Sequence, residues 1–464
     1  MKRRARGAAR VRDLAFIGFL VALLGMGLRK PFLFVLAYVY IDIVSPQRLT
    51  YMLLNSVPIS LIAVALAVGG WLLFDDKRDS RFAPRQALIL LLMLYCGITT
   101  RNADFPVEAL DKWDWVWKAL VFAAFLPLTL RTRLRIEALL LFMTLSAASI
   151  IIVGGIKTLA SGGGYGELNL MVANNSGLYE GSIISTVAIC IVPVVLWLSR
   201  HGTLFGTGWR VKMFAYALIF ACLLIPVGTS ARTGLLCIAL LAALMLREVK
   251  RPMLYLAALA LAGVVAVPFL PSAFSDRMAT IKTYKADESA STRIAVWQWT
   301  WEYAKTHPFG GGFEAYRQNQ IRYDTVAVKG SGASTTVERS LTVDKSRAYH
   351  SSYFEMLGEQ GYPGLALWLT ISVIGLIRME ILRRRHREGE YAWGGALAGA
   401  LQHAHLIYLL GGAFVGIAFQ PFIYMLLGAQ IGLDSYLGRR QRESVWRQSY
   451  RVRAAHEPTA AAAG

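Results

Sequence analysis

Charge is scarce in this sequence. Only 17% of its 464 residues are Asp, Glu, Lys or Arg, against about 25% in a soluble globular domain. Together with 55% hydrophobic residues and a mean hydropathy of +0.45, that excludes an ordinary water-soluble fold. Acidic residues are scarcer still, with 29 Asp and Glu against 49 Lys and Arg. The resulting +20 charge would suit a nucleic-acid binder if it formed one patch. Instead the Lys and Arg residues stand in short clusters between apolar runs, the signature of cytoplasmic loops under the positive-inside rule. No nucleic-acid partner is expected. The four cysteines, Cys96, Cys190, Cys222 and Cys237, all fall inside apolar runs, and none has CxxC spacing. Neither a disulfide framework nor a zinc site is supported. Walker A and HExxH patterns are missing, as is a DxD-type carboxylate pair on any outer segment. No metal and no cofactor is expected, and any bound diphosphate would need its countercharge from Arg and Lys.

What the sequence has instead is apolar runs long enough to cross a hydrocarbon core of about 30 Å. They lie at roughly 14–44, 53–74, 84–100, 114–130, 136–158, 182–199, 212–228, 233–247, 253–270, 363–382, 393–417 and 419–437. In lipid such runs must be helical, because only a helix satisfies its own backbone groups. The fold class is an all-α polytopic integral membrane protein of about twelve spans. The run 14–44 is ambiguous, because Arg29-Lys30-Pro31 interrupts it. If it crosses once, the clusters "DDKRDSRFAPR", "RTRLR", "RHGTLFGTGWRVK", "REVKR" and "RRRHRE" and the basic C-terminus share the side of the N-terminus. That parity favours twelve crossings with both termini cytoplasmic, although a re-entrant hairpin would also fit. "MKRRARGAARVRD" shows no small-residue cleavage site and reads as a retained signal-anchor.

The expected organisation is a nine-span region over 1–270, an outer loop domain over 271–362, and further spans over 363–438. A basic tail over 439–464 follows and ends in disordered "AAHEPTAAAAG". The outer side also receives 101–115, 161–181 and the short "GTSART" at 228–233. Within the outer loop domain, "STRIAVWQWTWEYAKT" places Ile294, Trp297, Trp301 and Ala304 at helical spacing. Ser291 or Thr292 is its expected cap, and His307-Pro308 with the following glycines its stop. An aromatic amphipathic helix of this kind lies flat at the membrane interface. The polar stretch after Gly312 has no clear period. "YHSSYFEMLGEQG" then predicts a second short helix that Gly361 ends, and Pro363 opens the next span.

Ionisable residues at span borders are the candidates for chemistry. His350, where polar loop meets membrane, suits proton abstraction near neutral pH. Arg232 in "GTSARTGLL" is either a snorkelling cation or a bidentate clamp for phosphate oxygens. Arg293 and Lys157 are either interfacial cations or contributors to an outward-facing anion site. Arg101 and Tyr349 complete the substrate-contact candidates. His307 has a turn context. His403 and His405 lie inside a span as a polar pair, with no acid nearby in sequence to make a relay.

In order, "ANNSGLYEGSIISTVAICIVP", the "SAR" between spans, "HPFGGGFEAY" and "HSSYFEMLGEQGYPGL" resemble the O-antigen ligase and Wzy-type polymerase superfamily. The likeness is clearest over about 150–380. "RKPFLFVLAYVYIDIVSPQRLTYML" is similar to O-glycosylation-ligase relatives. The ordered set, not any single motif, carries the likeness. The resemblance implies glycan transfer from undecaprenyl diphosphate at the periplasmic face of the bacterial inner membrane, without metal. The implied acceptor is lipid A–core oligosaccharide. It also implies inversion, with His350 as the base and Arg232 binding the diphosphate. A protein O-glycosylation ligase or a polysaccharide polymerase is the alternative. The 161–181 loop has no arginine, which favours ligase over polymerase. A lipid-linked sugar transporter would show paired repeats with broken helices, and none is evident.

Overall fold

The computed structural model describes residues 2–50, 54, 57–78, 80–161, 178–247, 251–254, 257, 288–329 and 336–456. Nearly all of the predicted span 253–270 and of the 161–181 loop lies outside them. The architecture is that of an all-α, multi-pass membrane protein. Among the described residues, ten helices precede Glu288: α1 (Lys2–Gly27), α2 (Phe32–Val44), the single turn α3 (Pro46–Leu49), α4 (Ile59–Phe74), α5 (Pro84–Arg101), α6 (Pro106–Thr129), α7 (Arg133–Ser161), α8 (Gly181–His201), α9 (Trp209–Gly228) and α10 (Arg232–Leu246). After α11 (Glu288–Thr306) and strands β1 (Gln320–Lys329) and β2 (Thr336–Lys345) come α12 (Ser352–Arg385), α13 (Ala392–Gly412) and α14 (Pro421–His456). Among the described residues, α7, α8, α9 and α12 are long and apolar enough to cross a membrane, and four shorter apolar helices accompany them.

The run 14–44 is a helical hairpin rather than one broken crossing. Phe19 on α1 meets Tyr40 on α2 at 4.8 Å between ring centroids. Gly27, eight residues later on α1, approaches Phe34 near the start of α2. Contacts in that opposed order define an antiparallel pair with Arg29-Lys30-Pro31 at the bend. Phe32 lies beside Arg135, whereas the Val44 carbonyl accepts the Tyr179 hydroxyl. The hairpin therefore bends at the end of the bundle where Arg135 pairs with Asp75. The parity argument for a cytoplasmic N-terminus required a single crossing and loses its support.

The helix ends sort the chain into a basic end and an opposite end that holds the segments expected on the outer side. Arg131, Arg133, Arg135 and Arg439 meet at the first, where Arg439 donates to the Arg131 carbonyl. At the outer end the glycine-rich turn 307–312 laces along the break in α12. Gly311 N donates to Gly358 O at 3.0 Å, Gly312 N to Glu359 O at 2.9 Å, and Tyr362 N to Pro308 O at 2.9 Å. Gly361 is non-helical there (φ 63°, ψ −168°), so the expected stop at Gly361 and restart at Pro363 both stand. Gly310 has φ 84°, and a Cβ on it would lie 2.4 Å from the Glu359 carbonyl. Tyr95 Oη seals the junction by donating to the Phe309 and Gln360 carbonyls, both at 3.0 Å.

Two outer-domain expectations change. α11 begins at Glu288, ahead of Ser291, and its buried face is Thr292, Val296, Thr300 and Ala304. Ile294 and Trp301 point outward at 46% and 52% exposure. α11 meets α12 through the Trp297 indole, stacked on Phe354, and the exposed Trp301 indole is left to the interface. The aperiodic polar stretch contains the antiparallel ribbon β1–β2, with Gln320 paired to Lys345 and Lys329 to Thr336. Gly310→Ala places an L-residue in left-handed backbone and against a carbonyl. It is expected to cost more than about 1–3 kcal/mol, read as a lowered thermal midpoint in detergent. Gly389→Ala (φ 88°, open space around the Cβ) is expected to show the backbone cost alone, and equal losses in the two variants would refute the packing argument.

Candidate functional site

The break in α12 fixes what precedes it. Ser351 caps the helix, and its carbonyl accepts Glu355 N at 2.8 Å. Ser352 Oγ donates to Val415 O at 3.0 Å and accepts Ile417 N at 2.9 Å. Trp297 of α11 stacks on Phe354 at 5.1 Å and donates its indole N–H to the Tyr349 carbonyl at 2.9 Å. His350, held between these anchors, adopts left-handed backbone with φ 48°, a conformation most side chains resist.

His350 and Tyr349 open onto a cavity of about 260 Å³, whose other lining residues include Lys112, Glu180, Glu314, Glu355 and Glu359. Lys112 Nζ lies 2.7 Å from Glu355 and 2.8 Å from Glu359, and sits over the rings of Phe313 and Phe419 at 5.4 and 5.7 Å. Glu359 also accepts Glu314 N at 3.1 Å, and Glu355 accepts Ala418 N at 3.0 Å. Glu180 caps α8 by accepting Ile183 N at 2.8 Å. The charged lining is thus mostly carboxylate. Among the described residues that line the cavity, Arg232, Arg293, Arg101 and Lys157 do not appear.

Arginines act on His350 from the side. Burial, with Arg293 and then Arg347 nearby, pushes the imidazole down to about 4. It is therefore neutral, with a lone pair available, at any pH near 7. The Tyr349 hydroxyl is buried and has no hydrogen-bond partner among the described residues. Burial and the neighbouring Glu359 raise its pKa well above the usual phenol value, so it remains a donor aimed at carboxylates and at the cavity.

The remaining candidates share the outer end without lining this cavity. Arg232 begins α10 after left-handed Ser230. The adjoining Thr229 joins Ser185 of α8 at 2.9 Å, one turn from Glu180. Thr158, next to Lys157, packs on Gly228, so Lys157 belongs to the same corner as Arg232, with its side chain exposed. Arg101 is exposed at the end of α5. His307 stacks on Tyr303 at 4.1 Å and bonds Thr306 at 2.9 Å, closing the turn rather than entering the cavity. His403 and His405 are buried on α13, and His405 meets Gln430 at 3.3 Å, not an acid. Sequence reasoning missed Lys112, Glu355 and Glu359. The visible signal was Glu355 and Glu359 four residues apart, on one face of an otherwise apolar helix.

Residues 217–369 match the family described as O-antigen ligase, and residues 11–203 match a family of unknown function (DUF5935). The first match spans Arg232, Arg293, Tyr349 and His350. No curated protein matches the chain. The match over 217–369 supports the O-antigen ligase and Wzy superfamily, a ligase- and polymerase-type group, and with it a glycosyltransferase-like enzyme.

Lys112→Met leaves Glu355 and Glu359 buried without a cation. It is expected to destabilise the protein by about 3–5 kcal/mol, measured by thermal unfolding in detergent. A midpoint within experimental scatter of wild type would show that the ion cluster does not hold the site together.

Proposed function

We propose that the chain is an O-antigen-type ligase. It transfers a glycan from undecaprenyl diphosphate to a hydroxyl of lipid A–core oligosaccharide at the periplasmic face of the inner membrane. The observation that carries this reading is a neutral imidazole, His350, held at a carboxylate-lined cavity with arginines beside it, inside the O-antigen ligase match. In this mechanism Nε2 or Nδ1 of His350 takes the acceptor hydroxyl proton as that oxygen bonds to the anomeric carbon. The bond from that carbon to the diphosphate breaks on the opposite face, its electron pair leaves with the diphosphate, and the configuration inverts. Arg232 neutralises the leaving diphosphate, with Arg293 and Lys157 contributing positive potential from the same end. Undecaprenyl diphosphate is already a competent leaving group, so positioning and charge neutralisation can supply much of the rate. The carboxylates retain acceptor capacity beyond the bonds they make in the protein, which suits them to sugar hydroxyl donors.

The assay is transfer by purified protein with lipid-linked glycan and lipid A–core. His350→Asn, which tolerates left-handed backbone, is expected to lower kcat by about 10²–10⁴ without loss of fold. Arg232→Ala is expected to lower it by about 10²–10³. Full transfer by His350→Asn would remove the base from the mechanism. Elongation of the glycan without acceptor would make the enzyme a polymerase.

The pH profile separates free from loaded enzyme. With the imidazole held at about 4, kcat/KM should stay level from pH 7 to near 5. It should fall only as His350 becomes protonated below that. Bound diphosphate offsets the field of Arg293 and Arg347, raises the imidazole's affinity for a proton, and moves the acid limb of kcat to higher pH. A kcat/KM limb at pH 6.5 would contradict this assignment.

A further inference from the structure

The basic end of the bundle holds a second and larger cavity, of about 690 Å³, between α8, α10, α12 and α13. It lies at the far end of α8 from Glu180, about 30 Å from the His350 cavity along a helix of 21 residues. Its charged lining is wholly basic: Arg200, Arg247, Arg383, Arg384 and Arg387, with His201 and His403. Arg383 and Arg384 share one carboxylate, Glu380, at 2.8 and 2.6 Å. Among the described residues Arg200, Arg247 and Arg387 make no ion pair. Guanidinium groups remain charged at any physiological pH and repel one another when they face a common space. An anion inside that space relieves the repulsion, and the forked guanidinium matches phosphate oxygens in particular.

The opposite wall is apolar. Pro193, Leu196, Trp197 and Met245 face Gly395, Ala396 and Gly399 on α13. A polar mouth of arginines above an apolar wall, at the border of membrane-spanning helices, fits an amphiphile. Arg200, Arg247, Arg384 and Arg387 are solvent-exposed, as the positive-inside rule alone would have them, but that rule does not require the apolar-walled cavity between the helices beside them. We propose that this cavity binds the phosphate-bearing headgroup of an anionic phospholipid from the leaflet at the basic end, its acyl chain lying against the apolar wall.

The test uses the full chain in phosphatidylcholine nanodiscs doped with phosphatidylglycerol, with retained lipid counted by native mass spectrometry after release into detergent. Wild type is expected to retain phosphatidylglycerol at least tenfold in preference to phosphatidylcholine. R200Q/R247Q/R387Q is expected to reduce that preference to within twofold of none. A396F, which fills the space and keeps every charge, is expected to do the same. Both variants change side chains that open to the cavity or to solvent, so thermal unfolding in detergent should leave their fold intact. Loss of preference in the arginine variant but not in A396F would reduce the effect to surface charge and overturn the cavity site. Displacement of the lipid by millimolar inorganic phosphate would overturn the lipid assignment in favour of a phosphate site. Absence of preference in wild type would overturn the proposal outright.

Discussion

The ammonium of Lys112 lies between Glu355 and Glu359, with the faces of Phe313 and Phe419 against it. Four stretches of chain distant in sequence meet around that one charge: α6, the turn after α11, the first turns of α12, and the loop before α14. Glu359 is fully buried and Lys112 nearly so. Such a charge is tolerated only where it is paired and its hydrogen bonds are filled. α6 supplies the ammonium, and each of the other three supplies a carboxylate, an aromatic face or a backbone donor. The cavity in front of His350 is the space left once this cluster has formed. His350 therefore stands where an ion cluster places it, not where a loop happens to reach.

The two ends of the bundle divide the work of charge. The outer end concentrates carboxylates in the cavity and sets arginines behind the imidazole. The arrangement separates a hydrogen-bond-accepting wall from a positive field. The basic end inverts this, with guanidinium groups at the mouth of a cavity that has an apolar wall. α8 connects the two, capped by Glu180 at one end and finishing in Arg200 and His201 at the other. Its ends match the helix dipole in both places.

Much of this was legible along the chain. The apolar runs predicted the helices, the glycine and proline around 361–363 predicted the break in α12, and His350 was placed just before a helix start. Other features depended on contacts that no local pattern reports. Arg29-Lys30-Pro31 fits a kink or a bend equally, and only the meeting of Phe19 with Tyr40 decides between them. Ile321, Val326 and Val328 of β1, like Val337 and Val343 of β2, are β-branched. Interspersed charges hid their tendency until each strand had the other. Lys112 stands 243 residues from Glu355, so its pairing with α12 exists only in three dimensions. The arginines expected to face the diphosphate were recognised as residue types, but the wall they stand on was not.

The four cysteines lie buried in α5, α8, α9 and α10. Thiols in that setting are shielded from aqueous reagents. The native protein therefore offers a silent background to membrane-impermeant maleimides. A single cysteine introduced ahead of α1, or beside Arg387, would be the only one to react. Which face of the membrane it reacts from would report the orientation of the hairpin directly, with no need to strip the native sulfur atoms first.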